Sequence, residues 1–386
     1  MKHILIISFS PLHRDPRVRR QIQTLKGKYK ITCAGYTNIE NSDNGFWPIN
    51  LSPANKLQKL RAAIFLLTRQ YKKYYRQRRE IKSLYNVWRN KSCPKFDLVI
   101  ANDIEALIVA LDIAGGCSVF LDAHEYSPRQ SNKIIWRLLR APFVDWQCRT
   151  YLKKAELLST VNNSLSQEYK REYGKESIII YSAPMYRQLE PGSTDIRRIR
   201  LVHHGGAARQ RGLEEIINLL NYLDERYTLD LYLVALDQYS RQYIEELMDL
   251  SKKFGNRVTF RDPVPTDQLP EVLNQYDIGV ALIQPQNFNY AHCLPNKFFE
   301  FVQARLVLAS GPTPDMKELI EKLDLGIVSN DFSARSLAEK ISCLSKDDVY
   351  RYKQNVHKNA YTLSFQESGK LLLESVQDLM QKEPEI

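Results

Sequence analysis

The segment from Tyr276 to Pro312, YDIGVALIQPQNFNYAHCLPNKFFEFVQARLVLASGP, restricts the fold more than any other. A short apolar run, Ile278 to Ile283, leads through a polar loop into a helix entered at Leu294-Pro295-Asn296-Lys297, and a second apolar run follows from Leu306 to Ser310. Strand, loop, helix and strand within about 35 residues is a parallel βαβ unit, since parallel strands need a crossover of this length. In such sheets the loop and the helix N-terminus lie at the carboxyl edge, where ligands bind. The free N–H groups and dipole of a helix N-terminus suit an anion. Lys297 adds a positive charge there and Glu300, one turn on, a two-oxygen acceptor. The set matches a phosphate beside a vicinal diol, as in the pyrophosphate and ribose of a nucleotide. The same i, i+3 spacing also fits a plain ion pair on a solvated helix face, and the spacing alone leaves both open.

The alternation recurs along the chain. Apolar runs at Ile4 to Ser8, Ile31 to Tyr36, Phe96 to Ala101, Val119 to Leu121, Leu157 to Val161 and Ile178 to Tyr181 read as strands of a first sheet. Ile199 to His203, Leu231 to Ala235, Val258 to Phe260 and Gly326 to Val328 join the two runs above in a second. At 386 residues the chain exceeds one ordinary core, so the expected fold class is α/β with two Rossmann-like domains in series. The polar stretch Tyr186 to Arg198, with Pro191-Gly192-Ser193, reads as the linker, and the segment from Tyr36 to Pro53 as irregular.

Charge narrows the partners. Between Lys56 and Lys91 there are 12 Lys or Arg against one acid, Glu80, so 12 − 1 = +11, which equals the net charge of the whole chain. The cations alternate with Leu, Ile, Phe, Tyr and Trp, as in a helix lying on an anionic membrane surface. An ordinary helix pair with a basic outer face is the plain alternative, and RNA, stacked on aromatics between cations, a weaker one. Residues 131 to 154 carry the same mixture and read as a second membrane-facing element. No apolar run is long enough for a signal peptide or a span, the longest, Ala62 to Leu67 among them, having only six residues. The six cysteines form no C-x-x-C pair and no metal-ligand spacing, so they are expected to be reduced and mostly packed, and the chain cytosolic.

Three further loops follow strands. After the first, Asp15-Pro16 signals a helix start, with Arg14 and Arg17 beside it. After Val119 to Leu121 comes Asp122-Ala123-His124-Glu125, placing His124 at a strand's carboxyl end. After Ile199 to His203 comes His204-Gly205-Gly206-Ala207-Ala208-Arg209-Gln210-Arg211-Gly212, where glycines let the backbone approach phosphate and an arginine pairs with it.

The phrase LPNKFFEFVQA, followed by a buried strand and the Gly-Pro of ASGP, resembles the donor-site segment of retaining, nucleotide-sugar-dependent glycosyltransferases of family 4. The phrase DPRVRRQIQTL, the strand-end D-x-H-E and the Arg211-Gly212 loop are similar to the corresponding family segments. The resemblance implies the GT-B architecture: two Rossmann-like domains facing a cleft, here 1-190 for the acceptor and 191-364 for the donor, with 365-386 a helix crossing back to the first. It implies catalytic roles for His124, near the donor sugar, and Glu300, on the donor ribose. Gly205, Gly206, Arg209, Arg211, Asn296 and Lys297 would hold the nucleotide, with Arg261 and Val264 bordering the base. Arg14, Arg17 and Glu125 would line the acceptor side. The first Glu of the family's Glu, seven residues, Glu motif falls on His292, which departs from the pattern at the donor-sugar contact. No metal or other cofactor is implied, and no Asp-x-Asp pair is present. The implied function is transfer of a sugar from a nucleotide-diphosphate sugar to a saccharide or lipid-linked saccharide, in bacterial surface polysaccharide or glycolipid assembly at the inner face of the membrane. The alternatives are a non-catalytic sugar-nucleotide or polyanion-binding protein and a sugar-nucleotide 2-epimerase using Glu125. A nicotinamide oxidoreductase is excluded, because Ser8 to Asp15 contains no glycine.

Overall fold

Seven of the strands form one sheet: β1 (His3–Ile7), β2 (Lys30–Gly35), β3 (Gly45–Pro48), β4 (Leu98–Asn102), β5 (Ser118–Ala123), β6 (Leu157–Thr160) and β7 (Ile178–Ile179). Six more, β8 (Ile199–Gly206), β9 (Tyr227–Val234), β10 (Val258–Arg261), β11 (Ile278–Ala281), β12 (Val307–Ser310) and β13 (Gly326–Val328), form a second. The computed structural model describes residues 1–39, 45–90 and 94–381. It divides into two units, Met1–Tyr181 with the residues from Gly369 onward, and Ser182–Ser368.

In the first unit the strand order is β3-β2-β1-β4-β5-β6-β7, with parallel pairing throughout. Ile4, Ile6, Leu98, Ile100 and Phe120 face Val18 and Ile22 of the helix Pro16–Leu25, and Leu372, Val376 and Leu379 of the last helix, Phe365–Gln381. That last helix thus returns the chain to the first core; residues 382–386 of the expected crossing segment lie outside the described residues. The helix Pro16–Leu25 starts as its sequence requires: Asp15 accepts from the Val18 N–H at 3.1 Å, and Pro16, with no N–H to satisfy, takes the first position. The stretch expected to be irregular contains β3, which pairs with β2 and buries Trp47 edge-on against Phe96. Four residues without alternation carry too little pattern to mark a strand, and tertiary contact decides it.

The second unit has the order β10-β9-β8-β11-β12-β13, again parallel. Order reverses between β8 and β11, which makes the carboxyl ends of these two strands the switch point. Residues 182–190, expected with the first domain, count with this unit because their backbone is tied there. Gln303 Oε1 accepts from the Arg187 N–H at 3.0 Å, and Arg305 Nη2 donates to the Arg187 carbonyl at 2.6 Å.

The basic segment forms three helices, Lys56–Leu67, Tyr71–Gln77 and Arg79–Asn90; Lys91 lies outside the described residues, as does Cys93. Tyr75, Ile81 and Leu84 are buried. The expected second membrane-facing element divides: Ile134, Ile135 and Leu138 are exposed, but Phe143 and Val144 of the helix Ala141–Tyr151 are core residues, so only its first half faces outward. The five described cysteines are free, and no described helix is long and apolar enough to cross a membrane.

Candidate functional site

Every residue of the helix Asn296–Gln303 from Lys297 to Gln303 is buried. Phe298, Phe299 and Phe301 are fully enclosed, and Phe301 packs so tightly on β11 that a Cβ at Gly279 would stand 2.4 Å from its ring. The helix therefore has no solvated face for a surface ion pair. Lys297 and Glu300 are each 5% exposed, and the plain reading of their spacing is overturned.

Their partners come from β8. Lys297 Nζ lies 2.9 Å from His203 Nε2, and His203 Nδ1 lies 2.8 Å from the Val280 carbonyl. One tautomer serves both contacts: Nδ1–H donates to the carbonyl, and the Nε2 lone pair accepts from the ammonium. Burial, and then Lys297, holds His203 well below the usual histidine range, so the ring is neutral at physiological pH. His204 is pushed down to about 3 by burial, Lys297 and Arg211. Its Nε2 stands 3.3 Å from Glu300 Oε2 without hydrogen-bonding to it, which leaves a buried polar atom unpaired beside the carboxylate.

The cations converge on bare backbone. Gly205 has φ +126°, and a Cβ there would stand 3.2 Å from Arg211 Nη1 and 3.7 Å from Lys297 Nζ. Arg211 Nη1 donates to the Gly206 carbonyl at 3.1 Å. Burial pushes Lys297 well below the lysine range and Arg211 pushes it further, with Glu300 opposing. Lys353 is buried as well. That buried lysine is matched by the Asp277 carboxylate at 3.1 Å, whereas Lys297 hydrogen-bonds a neutral imidazole beside a second cation. A doubly charged anion at Gly205 would relieve both, and Glu300 offers two oxygens to a diol next to it.

The other donor-side candidates are scattered. Asn296 opens the helix, as expected. Arg209 does not join the cluster: it pairs with Glu246 at 2.5 Å and lies over the Tyr243 ring. Arg261 ends β10, the edge strand, where it pairs with Asp230 at 2.8 Å; Val264 is half-buried in the loop that follows. His292 sits one residue beyond the short helix Phe288–Ala291, with Nδ1 donating to the Phe288 carbonyl at 2.9 Å and its ring stacked on Phe288.

In the first unit, His124 follows β5 and is held by carboxylates. Its N–H donates to Asp103 Oδ1 at 2.8 Å, its Nδ1 lies 3.6 Å from Asp103 Oδ2, and its Nε2 lies 3.5 Å from Asp122 Oδ2 and 3.2 Å from Asn102 Oδ1. Burial works against a charge on the ring, but Asp103 and Asp122 outweigh it and lift the pKa to about 8. Asp103 takes φ +64° and ψ +157°, a region that non-glycine residues avoid, to direct its carboxylate there instead of capping the helix Ile104–Ala114. Arg17 also departs from its expected place. Nε and Nη2 clasp the two oxygens of Asp122 at 2.8 and 2.5 Å and Nη1 donates to the Ile180 carbonyl at 2.8 Å, so its guanidinium is an interior strut, not an acceptor contact. Arg14 is exposed, and Glu125 is exposed with Gln130 donating to it at 2.9 Å.

His203, His204, Asp103 and Asp122 had no assigned roles. A legible signal existed for the histidines: two consecutive polar residues close an otherwise buried strand, LVHHGG. Among the described residues no cluster of three or more His, Cys, Asp or Glu is suited to a metal ion.

No family model and no curated protein matches the sequence. Solved structures do. Sucrose-phosphate synthase from Thermosynechococcus elongatus aligns with a TM-score of 0.75 at 13% identity, covering 98% of this chain and 99% of that one. Anabaena HepE in complex with UDP-glucose aligns at 0.68 and 14%, covering 98% and 100%. A glycosyltransferase from Rickettsia africae aligns at 0.68 and 13%, covering 99% of each. The likeness extends over both units and gives the chain the two-domain α/β fold of GT-B proteins.

Proposed function

We propose that the chain is a glycosyltransferase that moves a sugar from a nucleotide-diphosphate sugar to an acceptor hydroxyl. The observation that carries this reading is the cluster of buried Lys297, His203 and Glu300 with half-buried Arg211 and Gly205 at the switch point of the second unit. Arg211 and Lys297 take the diphosphate and offset the charge that develops on it as the bond to the sugar breaks, and Glu300 accepts from the ribose hydroxyls. His124, carrying a proton held by Asp103 and Asp122, donates to the transferred sugar. The acceptor hydroxyl attacks from the leaving-group face, its proton passes to the departing diphosphate, and the anomeric configuration is retained, as in family 4. The acceptor is a saccharide or lipid-linked saccharide of a surface polysaccharide or glycolipid. The complex of HepE with UDP-glucose makes uracil the first base to try.

A second reading, a sugar-nucleotide-binding protein without turnover, draws on His292. A ring engaged with Phe288 stands where the family has a carboxylate toward the donor sugar. Thermal-shift measurements with UDP, GDP, ADP and CMP and their sugar conjugates, on wild type and Glu300→Ala, test the site. At 100 times its dissociation constant a ligand adds about 2.7 kcal/mol of stability. One base is expected to stabilise the wild type but not the variant. No shift with any nucleotide refutes both readings, while a shift without transfer to any saccharide acceptor favours the second.

A further inference from the structure

The helix Lys56–Leu67 buries only Leu66. Leu57, Leu60, Ile64 and Leu67, spaced along one face, are 57, 58, 44 and 67% exposed. The helix packs against Trp136–Arg140, which brings beside it Ile134, Ile135 and Leu138 at 73, 74 and 70% exposure. Seven large aliphatic side chains from two separate segments thus share one region of the first unit, a concentration that water-facing surfaces avoid. The helix is not frayed: Asn55 and Gln58 cap it reciprocally at 2.8 and 3.1 Å.

The charges around this ridge have one sign. Lys56, Lys59, Arg61, Lys72, Lys133 and Arg137 are exposed, and no acid occurs from residue 56 to 79 or from 126 to 144. A second copy of the chain would bring like charges together across the ridge, and a protein partner's buried patch is depleted of charge at its core. Single-stranded RNA needs exposed ring faces, but Tyr71, Tyr74 and Trp136 are half-buried and Tyr75 is buried. Aliphatic tips inside a cationic rim match the boundary between acyl chains and anionic headgroups.

We propose that this ridge docks the first unit on an anionic lipid bilayer, with Leu57, Leu60, Ile64, Ile134, Ile135 and Leu138 inserted and the surrounding lysines and arginines at headgroup level. The proposal does not depend on the donor-site reading, and its test uses no nucleotide. The full chain is sedimented with vesicles of equal parts phosphatidylcholine and phosphatidylglycerol, and with phosphatidylcholine alone. Two variants are compared with wild type: Leu60→Ser/Ile64→Ser/Ile135→Ser and Lys59→Glu/Lys72→Glu/Lys73→Glu. All six side chains are exposed, so both variants are expected to keep the wild-type circular dichroism and melting temperature. Wild type is expected to bind only the anionic vesicles. The serine variant should partition at least about 10-fold and the glutamate variant at least about 100-fold more weakly. Failure of wild type to bind, or binding by the serine variant equal to wild type, overturns insertion of the ridge. Sedimentation velocity showing a wild-type dimer abolished in the serine variant would assign the ridge to self-association, and poly(U) binding lost in that variant would assign it to RNA; either overturns the proposal.

Discussion

Replacing Asp103 by Asn should discharge His124 near neutral pH. The ring stands at about 8 against an ordinary 6.5, and its side chain is 21% exposed, so the proton is held by its neighbours and not by solvent. That difference of about 1.5 pH units corresponds to about 2 kcal/mol. Burial opposes the charge, and Asp122 is already shared with Arg17, Gln21 and Ser159, so Asp103 supplies the charge that tips the balance. Asn has the shape of Asp and takes the same unfavourable backbone angles at the same cost, and its side-chain oxygen can still accept the His124 N–H, so the variant should keep the local backbone. The His124 pKa is expected to fall by at least about 1.5 units, to the ordinary value or below it. NMR titration of the Cε1 proton reads this directly, with His124→Gln assigning the signal among the seven histidines. Stability should follow. Because the folded pKa lies above the unfolded one, protonated His124 stabilises wild type fully below about 6.5, and that contribution of about 2 kcal/mol fades as pH rises through about 8. In Asp103→Asn this decline should be absent. A His124 pKa within about 0.3 units of wild type in the variant would refute the assignment.

Lys297→Met should leave the unliganded protein as stable as wild type or up to about 1 kcal/mol more so, since Met fills the volume without a buried charge beside Arg211. Calorimetric affinity for the nucleoside diphosphate should fall at least about 10-fold; a large loss of stability with affinity intact would contradict the cluster's role. Asp122→Ala strands the buried Arg17 guanidinium and should cost about 3–5 kcal/mol in urea unfolding, with much of it restored in Arg17→Met/Asp122→Leu. Equal destabilisation in the single and double variants would mean that Arg17 needs no partner.

The fold was legible wherever one short run carried the pattern. Val18, Ile22 and Leu25 after Asp15-Pro16 specify a helix locally, and the apolar runs at β1, β4, β8, β11 and β12 are long enough to mark buried strands. β3 was missed because four residues carry no period, and its pairing with β2 crosses a polar stretch. At the site, the helix entry at Asn296-Lys297 and the glycines after β8 were legible because a backbone open to phosphate needs those residue types.

Chemical inventory and order, then, were determined by the sequence: which strands are parallel and buried, where Lys297, Glu300, Gly205 and Arg211 fall along them, and where the positive charge accumulates. Which of those groups lose water was decided only by tertiary structure. Arg14 and Arg17 are alike in the sequence, yet one guanidinium is exposed and the other grips a carboxylate 105 residues away. Arg209 and Arg211 are two residues apart, yet one leans on Glu246 and the other on the Gly206 carbonyl. Lys297 and Glu300 read equally well as a solvated pair until Phe301 packs on Gly279 and β8 brings His203 and His204 against them. A side chain's charge state and reach depend on its desolvation and on partners far along the chain, and these exist only once the sheets have formed.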